Sequence, residues 1–217
     1  MTPPSDPIPA GTPPHQPAGY PVVLAVSGWH CLVVGGGPVA VRRARALLAA
    51  GASVTVVAPT PIPDLSDLPD LEVEQRPYRR GEAARYALVL TATGDHAVDR
   101  AVVGDAGASG VLVNSADADP AGTVHLPAVY RRGPVTVAVS TEGASPALAA
   151  WIRTRVAAAI PDGVEELAAL LDEARARLQA EGRPTDSIDW GALLDGPLVG
   201  LVEQGRVDEA REQLRHL

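Results

Sequence analysis

A chain of 217 residues with 46% apolar and 20% charged side chains has room for one α/β domain plus a small annex, and neither a fibrous nor a wholly disordered polymer fits it. The single cysteine, Cys31, excludes disulfide scaffolds, Cys-ligated zinc and iron–sulfur clusters; because all 18 basic residues are Arg, chemistry that needs a lysine amine is excluded too, from Schiff bases to Walker-type phosphate loops. A formal charge of −8 disfavours bulk binding to nucleic acid or to an anionic membrane, while local arginine patches can still hold acidic small molecules.

Residues 1–20 hold seven of the 21 prolines and little apolar material, and read as a disordered tail. No apolar stretch reaches the ~20 residues that span a bilayer. The N-terminus lacks a basic region followed by an apolar one, so no secretory signal is expected and the cytoplasm is the expected location.

From Tyr20 onward, short β-branched runs alternate with Ala/Leu/Arg-rich stretches of helical length, the pattern of βαβ units around a parallel sheet. Val22–Val26 reads as a lead-in strand and Ser27–Gly28 as a turn. His30–Val34 is the next strand. Val39–Ala50 is a helix with Val39, Ala40, Ala44, Leu47 and Leu48 on one side and Arg42, Arg43 and Arg45 largely on the other. Further strands are expected at Ser53–Val57, Leu71–Glu74, Tyr86–Thr91 and Gly110–Asn114, with a helix over Asp95–Ala106. Asp117–Gly122 is a polar loop, and Val135–Ser140 a strand preceded by a turn at Arg132–Gly133–Pro134. Ser145 and Pro146 supply the N-cap and first residue of a helix running to about Ala159. Beyond it, Leu, Ala and Val at helical spacing predict a small helical bundle.

Gly35-Gly36-Gly37-Pro38-Val39-Ala40 satisfies G-x-G-x-x-A directly after an apolar strand and at the start of an amphipathic helix. Gly35 permits the tight turn, Gly37 lets the backbone approach a pyrophosphate, and Ala40 lets the helix pack closely on the sheet. The free N–H groups and the helix dipole then meet the anion. A Rossmann-type doubly wound parallel sheet that binds a dinucleotide is therefore expected. The acidic residue that usually follows strand two is missing, since the strand ends in Ala58-Pro59-Thr60, and no arginine follows closely to hold a 2′-phosphate; NAD is favoured over NADP.

Parallel strands deliver their following loops to one edge of the sheet, so the loops after Val34, Val57, Thr91 and Asn114 converge. Thr93-Gly94-Asp95 and Asn114-Ser115-Ala116-Asp117-Ala118-Asp119 fall where a nicotinamide and its substrate would meet, and Asp117 leads as general base. In isolation, Asp117 and Asp119 also fit a simple turn before Pro120. His125, between Val124 and Leu126, reads as a half-buried structural histidine. Arg131, Arg132, Arg153 and Arg155 read as solvated charges, or as forks for substrate carboxylates.

Taken in order, Tyr20-Pro21-Val22-Val23-Leu24, the run Cys31–Ala40, the run Leu47–Pro59, Pro127-Ala128, Arg132-Gly133-Pro134 and the run Gly143–Ala149 resemble the siroheme-synthase N-terminal family over roughly residues 20–160. This family comprises the precorrin-2 dehydrogenases, many of which are also sirohydrochlorin ferrochelatases. The resemblance implies NAD-dependent conversion of precorrin-2 to sirohydrochlorin, followed in bifunctional members by insertion of Fe²⁺ to give siroheme, in a homodimer whose strands after Pro127 interlock. It places the catalytic aspartate of an Asn-x-x-Asp string at Asp117, with Asn114 as the Asn. Expected cofactor contacts are Gly35, Gly37, Pro38, Val39, Pro59, Thr60 and Thr93; expected substrate contacts are Asn114, Arg131, Arg132 and Ser145, with no resident metal. The expected organisation is the tail over 1–20, an NAD-binding domain over 21–122, a dimerisation segment over 123–160 and a helical domain over 161–217. Three positions depart from the family pattern: Pro120 stands one place late, Asp99 stands where Asn is usual, and Gly94 replaces a common Asp. Nothing after residue 160 resembles the methyltransferase module of fused siroheme synthases, so precorrin-2 is expected to come from a separate enzyme. Two other readings stay open, a chain with only one of the two activities and a non-catalytic protein that binds NAD or tetrapyrrole.

Overall fold

The computed structural model describes residues 19–116 and 121–217. They form two compact units, the first ending at Leu126 and the second running from Pro127 to Leu217.

The first unit strings together β1 (His30–Val34), α1 (Pro38–Ala49), β2 (Ser53–Ala58), the short α2 (Pro63–Ser66), β3 (Leu71–Gln75), a 3₁₀ turn (Glu82–Arg85), β4 (Leu88–Thr91), α3 (His96–Ala108) and β5 (Leu112–Ser115). All five strands are parallel, in the order β3-β2-β1-β4-β5. The chain winds outward from β1 to β3 and then returns to the other side of β1. This makes the gap between the loops after β1 and β4 the topological switch point.

The inner strands β1, β2 and β4 are largely apolar because both of their faces are covered, whereas the edge strand β3 alternates apolar and acidic residues. Side chains alternate across the sheet: Cys31, Val33, Val54, Val56, Leu88 and Leu90 pack with Ala40, Val41, Ala44 and Leu47 of α1. Leu32, Val34, Val57, Val89 and Val113 pack on the other side with Val102, Val103 and Ala106 of α3. The result is the expected doubly wound α/β sheet, here with strand ends shifted by one or two residues. Tyr86 closes the 3₁₀ turn through its N–H to Ala83 O, so β4 starts only at Leu88. Gly110, at φ +68°, ends α3, and β5 runs from Leu112 to Ser115.

Two expectations need correction. Val22–Val26 forms no strand, and Val23 is 89% exposed: both edges of β1 are already taken by β2 and β4, so this β-branched run has no ladder to join there. Arg43 does not lie on the solvent side of α1. It is three residues past Ala40 and four before Leu47, which puts it on the sheet-facing stripe, and it is half-buried.

A polar clasp holds the loop that follows β3. Arg76 donates from Nη1 and Nη2 to the two carboxylate oxygens of Glu82 at 2.9 and 2.7 Å, and from Nε to Glu74. Glu82, only 4% exposed, also accepts from the Arg79 N–H at 2.7 Å and lies 3.5 Å from Arg85. Tyr78 Oη donates to Asp105 of α3 at 3.0 Å, and the Gly81 N–H donates to the same carboxylate at 2.7 Å. Burial pushes the Tyr78 hydroxyl above its usual range, with Asp105 adding to the effect.

The second unit opens with a hairpin of β6 (Ala128–Arg132) and β7 (Val135–Val139), antiparallel, with Arg132 opposite Val135 and the two-residue turn Gly133–Pro134. Arg131 and Arg132 precede the expected strand, β7, and are themselves the last residues of β6. α4 (Pro146–Ala159) packs on both strands. Then come α5 (Val164–Ala180), α6 (Trp190–Leu194), α7 (Pro197–Glu203) and α8 (Val207–Arg215). Leu167, Leu170 and Ala174 of α5, Leu198 and Val202 of α7, and Ala210 and Leu214 of α8 close a separate core. Arg177 donates to the Leu214 carbonyl at 2.8 Å and so caps the end of α8. Among the described residues, no helix is long and apolar enough to cross a membrane.

The clasp yields a pH-dependent prediction. Burial alone would raise the Glu82 carboxyl, but the hydrogen bonds from Arg76 and Arg79 and the nearby charges of Arg76 and Arg85 outweigh it and hold it below its ordinary value. A depressed folded-state pKa contributes stability that is complete above the unfolded carboxylate value of about 4.3 and is lost as pH falls through the folded value. Glu82→Gln is expected to cost the first unit about 1–3 kcal/mol at neutral pH, since it removes the buried charge that Arg76 and the Arg79 N–H meet and leaves Glu74 as the carboxylate partner of Arg76. Urea unfolding followed by exchange of the β1–β4 amides should show this deficit at pH 7 and show it shrinking below about pH 4.

Candidate functional site

The site grows from the end of β1. Gly35 takes φ +133°, and a Cβ there would stand 2.2 Å from the Ala92 carbonyl oxygen of the loop after β4. A Cβ on Gly36 would stand 2.8 Å from Thr60 O and 2.9 Å from both Ala58 Cβ and Pro61 Cα, in the loop after β2. These two glycines let three loops pack together at the switch point. Hydrogen bonds tie the arrangement: Gly35 N–H to Val57 O and Ile62 N–H to Gly36 O, both 3.0 Å. Gly37 differs, because nothing lies within 4 Å of where its Cβ would be.

Gly37 is the N-cap of α1, with no side-chain capping bond, Pro38 in the first turn and no acidic residue there. The first bond of this helix runs from Val41 N–H back to Gly37 O, at 3.2 Å. The N–H groups of Val39 and Ala40 therefore precede the helical ladder at the positive end of the macrodipole. This head of α1 adjoins a cavity of about 400 Å³ walled by Gly35, Gly36, Gly37, Pro59, Thr60 and Thr93. Its volume falls within the range of small-molecule sites. No arginine stands among the described residues that line it.

Sequence reasoning missed part of the wall. Pro77 and Tyr78, from the loop after β3, and Val98 on α3 also line the cavity. The signal was available, since a parallel sheet brings the loop after β3 to the same edge as the others. Asp95 lines it too, but its carboxylate caps α3, accepting from Ala97 N–H at 2.8 Å and Val98 N–H at 3.3 Å.

Beneath the rim lies a buried polar network. Asp99 accepts hydrogen bonds from the hydroxyls of Thr91 and of Thr93, the latter at 2.7 Å. The acid at this position thus holds the loop after β4. Arg43 reaches from α1 to donate to the Thr91 carbonyl and, at 2.6 Å, to Asn114 Oδ1. Burial lowers the Arg43 pKa, the neighbouring Arg42 adds to this, and the charge of Asp99 opposes it.

Of the expected cofactor residues, Gly35, Gly37, Pro59, Thr60 and Thr93 meet at the cavity, while Pro38 and Val39 head α1 beside it. Asn114 is buried, and its Nδ2 donates to Val124 O at 2.7 Å, so both ends of its amide are engaged within the first unit. The other three expected substrate residues belong to the second unit. There Arg131 Nε donates to Thr136 at 3.2 Å, Arg132 pairs with Asp162 at 3.1 Å, and Ser145 caps α4 by accepting from Leu148 N–H at 3.1 Å. Asp117, Asp119 and Pro120 lie outside the described residues.

The glycine cradle, the ligand-sized cavity and the helix end that has no side-chain cap fit a dinucleotide. Residues 22–128 match the family model described as NAD(P)-binding, and residues 132–159 match the model described as sirohaem biosynthesis protein central. The chain is 40% identical over 200 residues to the siroheme synthase of Chromobacterium violaceum, an alignment covering 90% of this chain and 43% of that protein. It is 38% identical to the siroheme synthase of Methylococcus capsulatus, covering 89% and 42%. It thus spans about two fifths of the length of these relatives. The solved structure of SirC, a precorrin-2 dehydrogenase, superposes with a TM-score of 0.69 at 27% identity, covering 91% of this chain and all of that one. With the NAD(P)-binding and central regions following one another in this order, the chain belongs to the siroheme-synthase N-terminal family.

Proposed function

We propose that this chain oxidises precorrin-2 to sirohydrochlorin with NAD⁺, using Asp117 as the proton acceptor. The observation that carries the reading is the cradle of Gly35 to Gly37 at the switch point of a chain of which 91% superposes on a solved precorrin-2 dehydrogenase.

When bound, NAD⁺ supplies the two-electron acceptor. The N–H groups of Val39 and Ala40 would hold its pyrophosphate, and the open side of Gly37 would leave room for it. Pro59 and Thr60 would bound the ribose end, where no arginine among the described lining residues would pair with a 2′-phosphate, which favours NAD over NADP. Thr93, fixed by Asp99, sets the opposite rim. The substrate gives up a hydride and a proton. The proton passes from carbon or pyrrole nitrogen to the Asp117 carboxylate and then to water. Arg131 and Arg132 suit the carboxylates of an octacarboxylate macrocycle, and the arginine fork matches that geometry better than a lysine would. Within the first unit Asn114 braces the end of β5 through Arg43 and Val124 O, and within the second unit Ser145 starts α4.

Fe²⁺ insertion belongs to the same proposal as a second use of Asp117. The macrocycle supplies four nitrogens to the metal, and the protein has only to take up the displaced protons. A homodimer formed through the hairpin of the second unit and a cytoplasmic location complete the reading.

Two outcomes are expected. Asp117→Ala should lower precorrin-2 oxidation by about 100- to 10,000-fold while leaving NAD⁺ affinity intact. Both are read by following the macrocycle spectrum with NAD⁺, and again after Fe²⁺ is added; full oxidation by the variant would remove Asp117 from the mechanism. Gly37→Ala should fold and yet bind NAD⁺ at least about tenfold more weakly, whereas Gly35→Ala should destabilise the first unit by more than about 2 kcal/mol. Thermal melting and NAD⁺ titration separate the two, and wild-type affinity in Gly37→Ala would place the pyrophosphate elsewhere.

A further inference from the structure

The two chain stems that flank residues 117–120 are tied together below the sheet edge. On the incoming side, β5 delivers Asn114, and the Ala116 N–H donates to Thr91 O at 3.0 Å. On the returning side, Thr123 N–H and Val124 N–H both donate to Val113 O at 2.9 Å, and Thr123 Oγ1 accepts from Val113 N–H at 3.0 Å. The Asn114 amide crosses between the stems through its bond to Val124 O, at 2.7 Å.

One side chain from another element touches this arrangement twice. Arg43 of α1 donates to Thr91 O, the same carbonyl that holds Ala116, and to Asn114 Oδ1, the same amide that holds Val124. Its two bonds come from separate nitrogens of one rigid fork, a geometry that an ammonium cannot reproduce. A half-buried guanidinium is costly unless its donors are met, and here they are met by groups that set both stems.

We propose that Arg43 is a positioning residue: its guanidinium holds Thr91 O and Asn114 Oδ1, and through these two groups it sets the stems at Ala116 and Val124 between which the chain carries Asp117. The inference deepens the reading of Asp117 as proton acceptor and rests on it. Arg43 itself touches neither substrate nor cofactor. Its effect is on geometry, to which proton and hydride transfer are sensitive at the scale of an ångström.

The test compares the full-length wild-type chain with Arg43→Met and Arg43→Lys. Amide hydrogen exchange is measured over residues 112–124, and kcat for precorrin-2 oxidation is measured alongside NAD⁺ affinity. In Arg43→Met, exchange at Asn114, Ala116 and Val124 should rise by about tenfold or more, while the β1–β2 amides keep their rates. The kcat should fall by about 10- to 100-fold with NAD⁺ affinity within about twofold of wild type. Arg43→Lys, which keeps the charge and one bond, should recover part of both; if the Met variant does not fold, the Lys variant reads the same amides against wild type. Unchanged exchange at the stems overturns the inference, as does loosened exchange with kcat intact. A wild-type chain that fails to oxidise precorrin-2, but whose stems loosen as expected on substitution, removes the dehydrogenase reading and leaves the clasp standing.

Discussion

Two absent Cβ atoms organise the first unit. Gly35 meets Ala92 O, and Gly36 meets Thr60 O, at separations that no other residue could accept without moving backbone. Because those contacts are backbone to backbone, no rotamer change relieves a side chain placed there. The end of β1 is thereby locked between the loops after β4 and β2, and α1 starts in a fixed direction with its N-cap, Gly37, on the wall of the cavity. Gly37 carries no such structural duty, since its Cβ direction is open. Within three residues the chain separates glycines that build the cradle from one that leaves room for what lies in it.

Around the cradle, buried charge is used only where partners meet it. Glu82 is enclosed by Arg76 and the Arg79 N–H, Asp99 by the hydroxyls of Thr91 and Thr93, and Arg43 by a carbonyl and an amide. Each of these groups holds a loop that leaves the sheet at its C-terminal edge: the one after β3, the one after β4, and the stems beyond β5. The strands fix the direction of those loops, and the polar contacts fix their ends. A chain whose every cation is arginine is well suited to this, because each guanidinium can tie two acceptors at once.

Much of this was legible in the residue pattern. β1, the helix that follows it and the Ser145 cap of α4 stand where strand composition, the glycine loop and the Ser-Pro pair put them. The doubly wound sheet followed from the alternation of elements. What escaped was decided by tertiary partners. Val22–Val26 has the composition of a strand but no free edge to pair with, and Arg43 looks like a solvent-side charge until the sheet supplies Thr91 and Asn114 as its acceptors. Gly36, an unspecified position in the G-x-G-x-x-A string, proved as constrained as Gly35, because its neighbour comes from a loop 22 to 25 residues further along. Tyr78 was missed because the loop after β3 carries no motif, although the topology alone returns it to the cavity.

The most direct measurement is the site of NAD⁺ itself, read as backbone amide shifts on titrating the nucleotide into the isotope-labelled full chain. The account predicts the largest changes at Gly37, Val39 and Ala40, with further changes at Thr60 and Thr93 and little in the helical core built around Leu198. Shifts that leave the head of α1 untouched, or that gather in the second unit, would contradict it.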